Sequence, residues 1–316
     1  MSSKWTLGQL TASTNEKIQG HLHFEGVSEP IPAFLINGEA EGPKVLVLGG
    51  IHGCEYTSID AALEIGKQLQ ANQVNGKVVV IPIANPASFY KRSIYVHPSD
   101  QKNLNRMFPG KKDGTEAERL AYWLTETVFK EVDYILDLHG GDMIEALVPF
   151  SIYHASATAE TVEKSKLLAS LFDINYVIGS KDQVPGSTYG SAAKLGIPAI
   201  IAEAGQQGIL SPDHSKRLQD GVLNVLKSLK VIEGEAKSYP SHFLETFDWY
   251  RADVQGLWYP EVAIGDHVKE GDRLGTIQNE FGEIQVEIVS HTNGVVLFLV
   301  TSLAINPNDP LLSIGD

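Results

Sequence analysis

The run Gly49-Gly50-Ile51-His52-Gly53-Cys54-Glu55 joins an apolar segment, Val45-Leu46-Val47-Leu48, to a stretch with helical apolar spacing. His52 and Glu55 are three apart, so at a helix start their imidazole and carboxylate converge on one point. The flanking glycines relieve the turn and leave room for a ligand. A second apolar segment ends alike, in Leu136-Asp137-Leu138-His139-Gly140-Gly141. Two histidines and one carboxylate form a catalytic zinc set with a fourth position open for water. Such a site needs a base that takes a proton from water and passes it to the leaving group. Glu203 fits, because it ends a further apolar segment in Ile201-Ala202-Glu203-Ala204-Gly205.

Between these lies a long polar stretch, Asn85 to Asp113, with Asn103-Leu104-Asn105-Arg106-Met107-Phe108-Pro109-Gly110 inside it. An Asn105-Arg106 pair can hold a carboxylate, the guanidinium forking onto two oxygens while the amide adds a donor. Arg92 is a second cation, suited to polarising a carbonyl. His21 and His23 read as surface residues and Cys54 as a small packed side chain. Tyr189, Tyr250 and Tyr259 read as packing residues within reach of substrate chemistry.

The elements that position these residues alternate. Residues 45–48, 78–83, 134–138 and 197–202 read as buried strands, and 58–69, 115–128, 158–171 and 212–229 as helices, Thr115 and Glu118 forming a capping box at the second. Near-continuous apolar strands between helices imply a mostly parallel or mixed sheet covered on both faces, an α/β fold. After about residue 235 the chain changes to short β-rich runs separated by glycines, with a repeated Gly-Asp turn at 265–266 and 271–272. This gives residues 1–240 as a catalytic domain and 243–316 as a small all-β domain.

The chain has 316 residues, 25 Lys and Arg against 39 Asp and Glu, and a net charge of −14. That balance disfavours nucleic acid and anionic membranes as partners, since their phosphates would be repelled. No apolar run approaches a membrane span, the first six residues lack the apolar core of a signal peptide, and one cysteine excludes an intrachain disulfide framework. A cytoplasmic location is the simplest expectation. The sequence is compatible with self-association.

Gly-Gly-x-His-Gly-x-Glu after a strand, Asn85-Pro86, Asn-Leu-Asn-Arg-x-Phe-Pro-Gly, Asp-Leu-His-Gly-Gly and Glu-Ala-Gly occur here in that order. In this the sequence resembles the succinylglutamate desuccinylase/aspartoacylase family, relatives of the zinc carboxypeptidases, over roughly residues 40–210. The resemblance implies a zinc carboxypeptidase-like fold, one zinc on His52, Glu55 and His139, Glu203 as general base and acid, and Asn105 with Arg106 on the substrate's carboxylate. Two departures stand out. Position 103 is Asn where the family usually has Asp, and the family's arginine after Asn-Pro falls on Ile94, with Arg92 nearest to it. In an extended segment 92 and 94 share a face about 6–7 Å apart, so Arg92 is expected to take that arginine's role. The C-terminal part resembles a β domain of biotinyl/lipoyl type, with Glu283 where a carrier domain keeps its modified lysine.

These features imply a zinc-dependent deacylase that hydrolyses the amide of an N-acyl amino acid or similar carboxylated amine, with the β domain capping the site. The rivals are a zinc carboxypeptidase acting on small peptides, and a non-catalytic metal-binding relative.

Overall fold

A computed structural model describes residues 4–181 and 184–316. Its centre is a nine-stranded mixed sheet in the order Glu16–Leu22, Ile31–Asn37, Asn75–Ile81, Ala40–Leu48, Tyr134–His139, Ala199–Glu203, Phe150–His154, Tyr176–Ser180 and His242–Leu244. The strands that carry the motifs lie side by side and run parallel: Ala40–Leu48 pairs with Tyr134–His139, which pairs with Ala199–Glu203. The antiparallel pairs lie outside them, where Ala199–Glu203 meets Phe150–His154 and Asn75–Ile81 meets Ile31–Asn37.

Both faces of the central strands are apolar, as their sequence requires. Leu46, Leu48, Val79 and Ile81 enter one core, with the helix Glu116–Trp123 over it. Val45, Val47, Val78 and Val80 enter the other, which the helices Tyr56–Gln68, Ala159–Ser170 and Pro212–Ser228 cover. The expected Thr115 capping box is present, the Glu118 carboxylate accepting from Thr115 N at 2.9 Å. The helix expected over 115–128 is regular only to Trp123 and continues as a wider π turn, Leu124–Val128. The strand expected at 197–202 begins at Ala199, because Pro198 has no N–H to give a ladder. A strand is expected around His21 and His23, and Glu16–Leu22 is one; the strands Lys4–Leu7, Leu10–Ser13, Ile31–Asn37, Phe150–His154 and Tyr176–Ser180 and the helix Thr188–Lys194 have no counterpart among the sequence expectations.

From Phe247 onward the chain forms two small antiparallel sheets around a third core that includes Trp258, Leu274, Val296 and Leu312. One sheet runs Phe247–Arg251, Pro310–Gly315, Gly294–Val300 and His267–Val268. The short strand Glu145–Leu147, a few residues after His139, adds to Gly294–Val300. Backbone hydrogen bonds therefore tie this sheet to the segment that follows His139. Among the described residues no helix is long and apolar enough to cross a membrane.

Candidate active site

Three adjacent strand ends deliver the site. After Leu48 the chain turns through Gly50, at φ +65°, a conformation that L side chains rarely adopt. Gly53 lies so close to the helix Pro86–Lys91 that a Cβ there would meet Phe89 N at 2.2 Å. This tight turn, with Glu55 at the N-cap of Tyr56–Gln68, sets His52 against Glu55. The pair thus lies just before the helix and not within its first turn. His139 ends its own strand and is the direct register partner of Glu203 on the neighbouring one.

His52 Nδ1 lies 2.6 Å from Glu55 Oε1, and His139 Nδ1 lies 3.0 Å from Glu55 Oε2. Glu55 and His139 are almost fully buried, at 3% and 1% exposure. The outward nitrogens are held by acceptors. His139 Nε2 is 3.0 Å from Asp137 Oδ2, which also accepts from Thr188 Oγ1. His52 Nε2 is 3.0 Å from Asn103 Oδ1. That oxygen also accepts from Asn105 N at 2.8 Å, so it is the amide's acceptor atom and His52 Nε2 carries the proton. Both rings therefore turn Nδ1 inward, the arrangement of metal-ligating histidines backed by outer acceptors.

The three ligand atoms lie within 4.8 Å of one another and could hold a metal ion. Two imidazole nitrogens and one carboxylate oxygen suit zinc. Burial opposes charge on all three groups, yet the attraction between Glu55 and each imidazole wins. Glu55 is held at about 2, His52 is raised, and His139 is raised well above the usual imidazole range by Asp137 and Glu55.

A cavity of about 350 Å³ opens over this cluster, lined also by Glu203, Asn105 and Arg106. The half-buried Glu203 side chain makes no hydrogen bond or ion pair among the described residues. Its carboxyl is pushed well above the ordinary carboxylate range, chiefly by burial, with Glu55 and Glu145 adding repulsion against the pull of His139. Asn105 Oδ1 accepts from Thr188 N at 2.9 Å, which leaves the amide's NH2 as the group to offer a ligand. Arg106 Nη1 donates to Asn105 O at 2.8 Å, and the guanidinium forms no ion pair among the described residues.

Arg92 is not brought to this cavity. It is exposed and caps the helix Pro86–Lys91 in the left-handed conformation, φ 53°. The segment after it is not the extended run that would place 92 beside 94. Tyr95 enters instead, at φ 39°, its N–H held 2.8 Å from Asp142 Oδ2. Of the three tyrosines singled out, Tyr189 lines the cavity, Tyr250 is buried against Ser290 and Tyr259 is exposed. His21 and His23 are exposed and Cys54 is buried.

Several lining or supporting residues escaped the sequence reading: Asp137, Tyr95, Glu145 and Arg251. Glu145 is raised to about 7, by burial first and then by Asp142 and Glu55. A period-two pattern could have found Arg251, since Phe247, Trp249 and Arg251 alternate along one strand and all line the cavity.

Comparison with known proteins shows the family and the fold. The chain is 28% identical over 295 residues to the N-alpha-acetyl-L-2,4-diaminobutyric acid deacetylase of Halomonas elongata, covering 90% of this chain and 85% of that protein. The product-bound structure of the ectoine utilization protein EutE (DoeB) from Ruegeria pomeroyi superposes with a TM-score of 0.86 at 24% identity, covering 95% of each chain. An aspartoacylase family protein from Mesorhizobium loti gives 0.78 at 25% identity, again over 95% of each. The model of the succinylglutamate desuccinylase/aspartoacylase catalytic domain matches residues 41–229, the span that holds His52, Glu55, His139 and Glu203, and the chain belongs to that family.

Proposed function

We propose that this protein is a zinc-dependent deacylase that hydrolyses the amide bond of a small N-acyl amino acid. One observation carries the reading: a zinc-type ligand set, an unpaired carboxyl and an Asn-Arg pair converge on one cavity of about 350 Å³. That volume is at the lower end for small-molecule sites. Phe247, Trp249 and Phe298 of the C-terminal strands line it, and on this reading the C-terminal β domain acts as a cap. A capped cavity favours an acyl amino acid over the extended chain that a carboxypeptidase must admit.

His52, Glu55 and His139 would hold the zinc, which supplies Lewis acidity toward the acyl carbonyl and makes water acidic near neutral pH. Arg106 and the Asn105 NH2 bind and orient the substrate's carboxylate, fixing the amide over the ligand set. Glu203 takes a proton from the attacking water at its carboxylate. It then returns that proton to the leaving nitrogen, so that the amine departs neutral. Its burial suits this exchange, because burial raises its affinity for the proton toward that of the groups it serves. Asp137 and Asn103 keep both histidines in the ligating tautomer.

The Halomonas relative's substrate makes an N-acetylated diamino acid the first compound to test. Zinc-loaded protein is incubated with N-acetyl and N-succinyl amino acids, including N-alpha-acetyl-2,4-diaminobutyrate, and with di- and tripeptides. Amine release from an N-acyl amino acid, faster than from any peptide, is expected. Peptides cleaved in preference would make the protein a carboxypeptidase, and no release from any compound would make it a binding protein.

A further inference from the structure

The cavity contains a cation that none of the family-like motifs supplies. Arg251 ends the strand Phe247–Arg251, whose alternate residues Phe247, Trp249 and Arg251 face the cavity. The ladder to Pro310–Gly315 shifts register between Tyr250 and Arg251, whose partners are Leu312 and Pro310. Such a bulge bends a strand and re-aims the side chain at its end. The guanidinium is braced, with Nη1 donating to Asn308 O at 2.9 Å and its carbon lying 5.8 Å from the Trp249 ring centre. It has no ion pair among the described residues, and the acid on the same wall, Asp309, turns Oδ2 to Asn306 N and Nδ2.

Arg106 lines the same cavity and is likewise braced by one backbone carbonyl, with no ion pair among the described residues. The two guanidiniums come from different parts of the chain, one from the polar loop and one from the C-terminal strands. Burial is the main force that lowers Arg106 from its ordinary range, and Arg251 adds repulsion. Arg251 is solvent-exposed and Arg106 feels the attraction of Glu145 and Glu203 on the same cavity, yet neither guanidinium is ion-paired among the described residues, and each retains donors in the fork that matches a carboxylate.

We propose that Arg251 and Arg106 together grip one carboxylate of the substrate, which makes Arg251 a specificity-determining residue delivered by the C-terminal cap. The inference rests on the deacylase reading in taking that carboxylate to belong to an N-acyl amino acid. It assigns the second cation of the site to Arg251 and not to Arg92. It also gives the cap a chemical function, because the substrate's carboxylate then bridges it to the catalytic loop.

The test uses zinc-loaded wild type, Arg251→Ala, Arg251→Lys, Arg106→Ala and the double alanine variant, each checked for zinc content and melting temperature. Succinate is titrated calorimetrically, and a panel of N-acetyl amino acids and their α-carboxamides is assayed in parallel. Losing a charge-assisted contact to a carboxylate should weaken succinate by on the order of 10–100-fold in Arg251→Ala. Arg251→Lys should fall between, keeping charge without the fork. If both arginines hold one carboxylate, the double variant loses less than the product of the single losses. The preference for acid over carboxamide should fall in step, mainly through KM. Absence of succinate binding to wild type, unchanged affinity in Arg251→Ala, or losses that multiply independently would each overturn the shared grip. Succinate clamped as expected without release of any amine would sink the deacylase reading and leave the grip standing. Amine release with no role for Arg251 would do the reverse.

Discussion

Removing the charge of Asp137 should weaken zinc binding in a graded way. Asp137 is fully buried, and its Oδ2 accepts from both His139 Nε2 and Thr188 Oγ1, while Oδ1 has no partner. Asp137→Asn can therefore keep both hydrogen bonds through its one oxygen and put its NH2 where Oδ1 stood. What it loses is the charge in those bonds. A hydrogen bond to a charged group is worth about 1.5–3 kcal/mol and a neutral one about 0.5–1.5. The difference, about 1–1.5 kcal/mol, corresponds to zinc held roughly 5–12-fold more weakly. Asp137→Ala removes the acceptor altogether, at about 1.5–3 kcal/mol, or roughly 10–150-fold. Mutation of such outer partners typically costs about 10–100-fold in metal affinity, an independent range that overlaps both. Chelator competition on the purified variants measures the affinities, with a thermal melt to confirm the fold. The order wild type, then Asn, then Ala is expected. Equal zinc affinity in all three, or an Asn variant weaker than Ala, would refute the assignment of Asp137 as the residue that orients His139.

Glu203→Gln should retain one zinc and lose about 10²–10⁴-fold in kcat, the usual worth of general acid–base work; metal loss or near-normal turnover would contradict it. Arg92→Ala should turn over within about twofold of wild type, as expected for a surface substitution away from the site, and a large drop in kcat would bring that side chain back into the mechanism. In the metal-free protein His52 and His139 are raised, so the stability they contribute is present below about 6.5 and is lost as pH rises through their folded values. Glu145, at about 7, and Glu203, also raised, act in the same direction, because their folded forms hold protons that the unfolded chain releases above about pH 4.5. The melting temperature of metal-free protein should therefore fall as pH rises above about 4.5, with the histidines adding to the fall above about 6.5, while zinc affinity rises as the imidazoles lose competing protons. A flat melting profile would contradict these shifts.

The parts of the site that lie at parallel strand ends were legible in the sequence, because an apolar run ending in His-Gly or Glu-Ala-Gly fixes both the element and the edge. His139 and Glu203 are register partners for that reason. Residues whose placement depends on pairing across long separations were not legible. The alternation of Phe247, Trp249 and Arg251 shows which side chains share a face but not that this face meets the cavity, and Glu145–Leu147 joins a strand some 150 residues later. The expectation for Arg92 rests on an extended backbone at 92–94, which the structure does not have. The chain there forms a short helix, Pro86–Lys91, and then two positive-φ residues, Arg92 and Tyr95, which turn it away from that geometry. The Asn at 103 was visible as a departure, and its use was not: a neutral acceptor that fixes the His52 tautomer while capping the turn that carries Asn105.

The central claim is one zinc at His52, Glu55 and His139 that turns an N-acyl amino acid pocket into a hydrolase. Stepwise addition of zinc to metal-free protein, with amine release from an N-acyl amino acid followed at each addition, tests it most directly. The rate should rise linearly and level off at one zinc per chain, and His139→Ala should show neither the binding nor the rise. Full turnover in the metal-free protein, or a plateau reached only at two zinc ions per chain, would contradict the account.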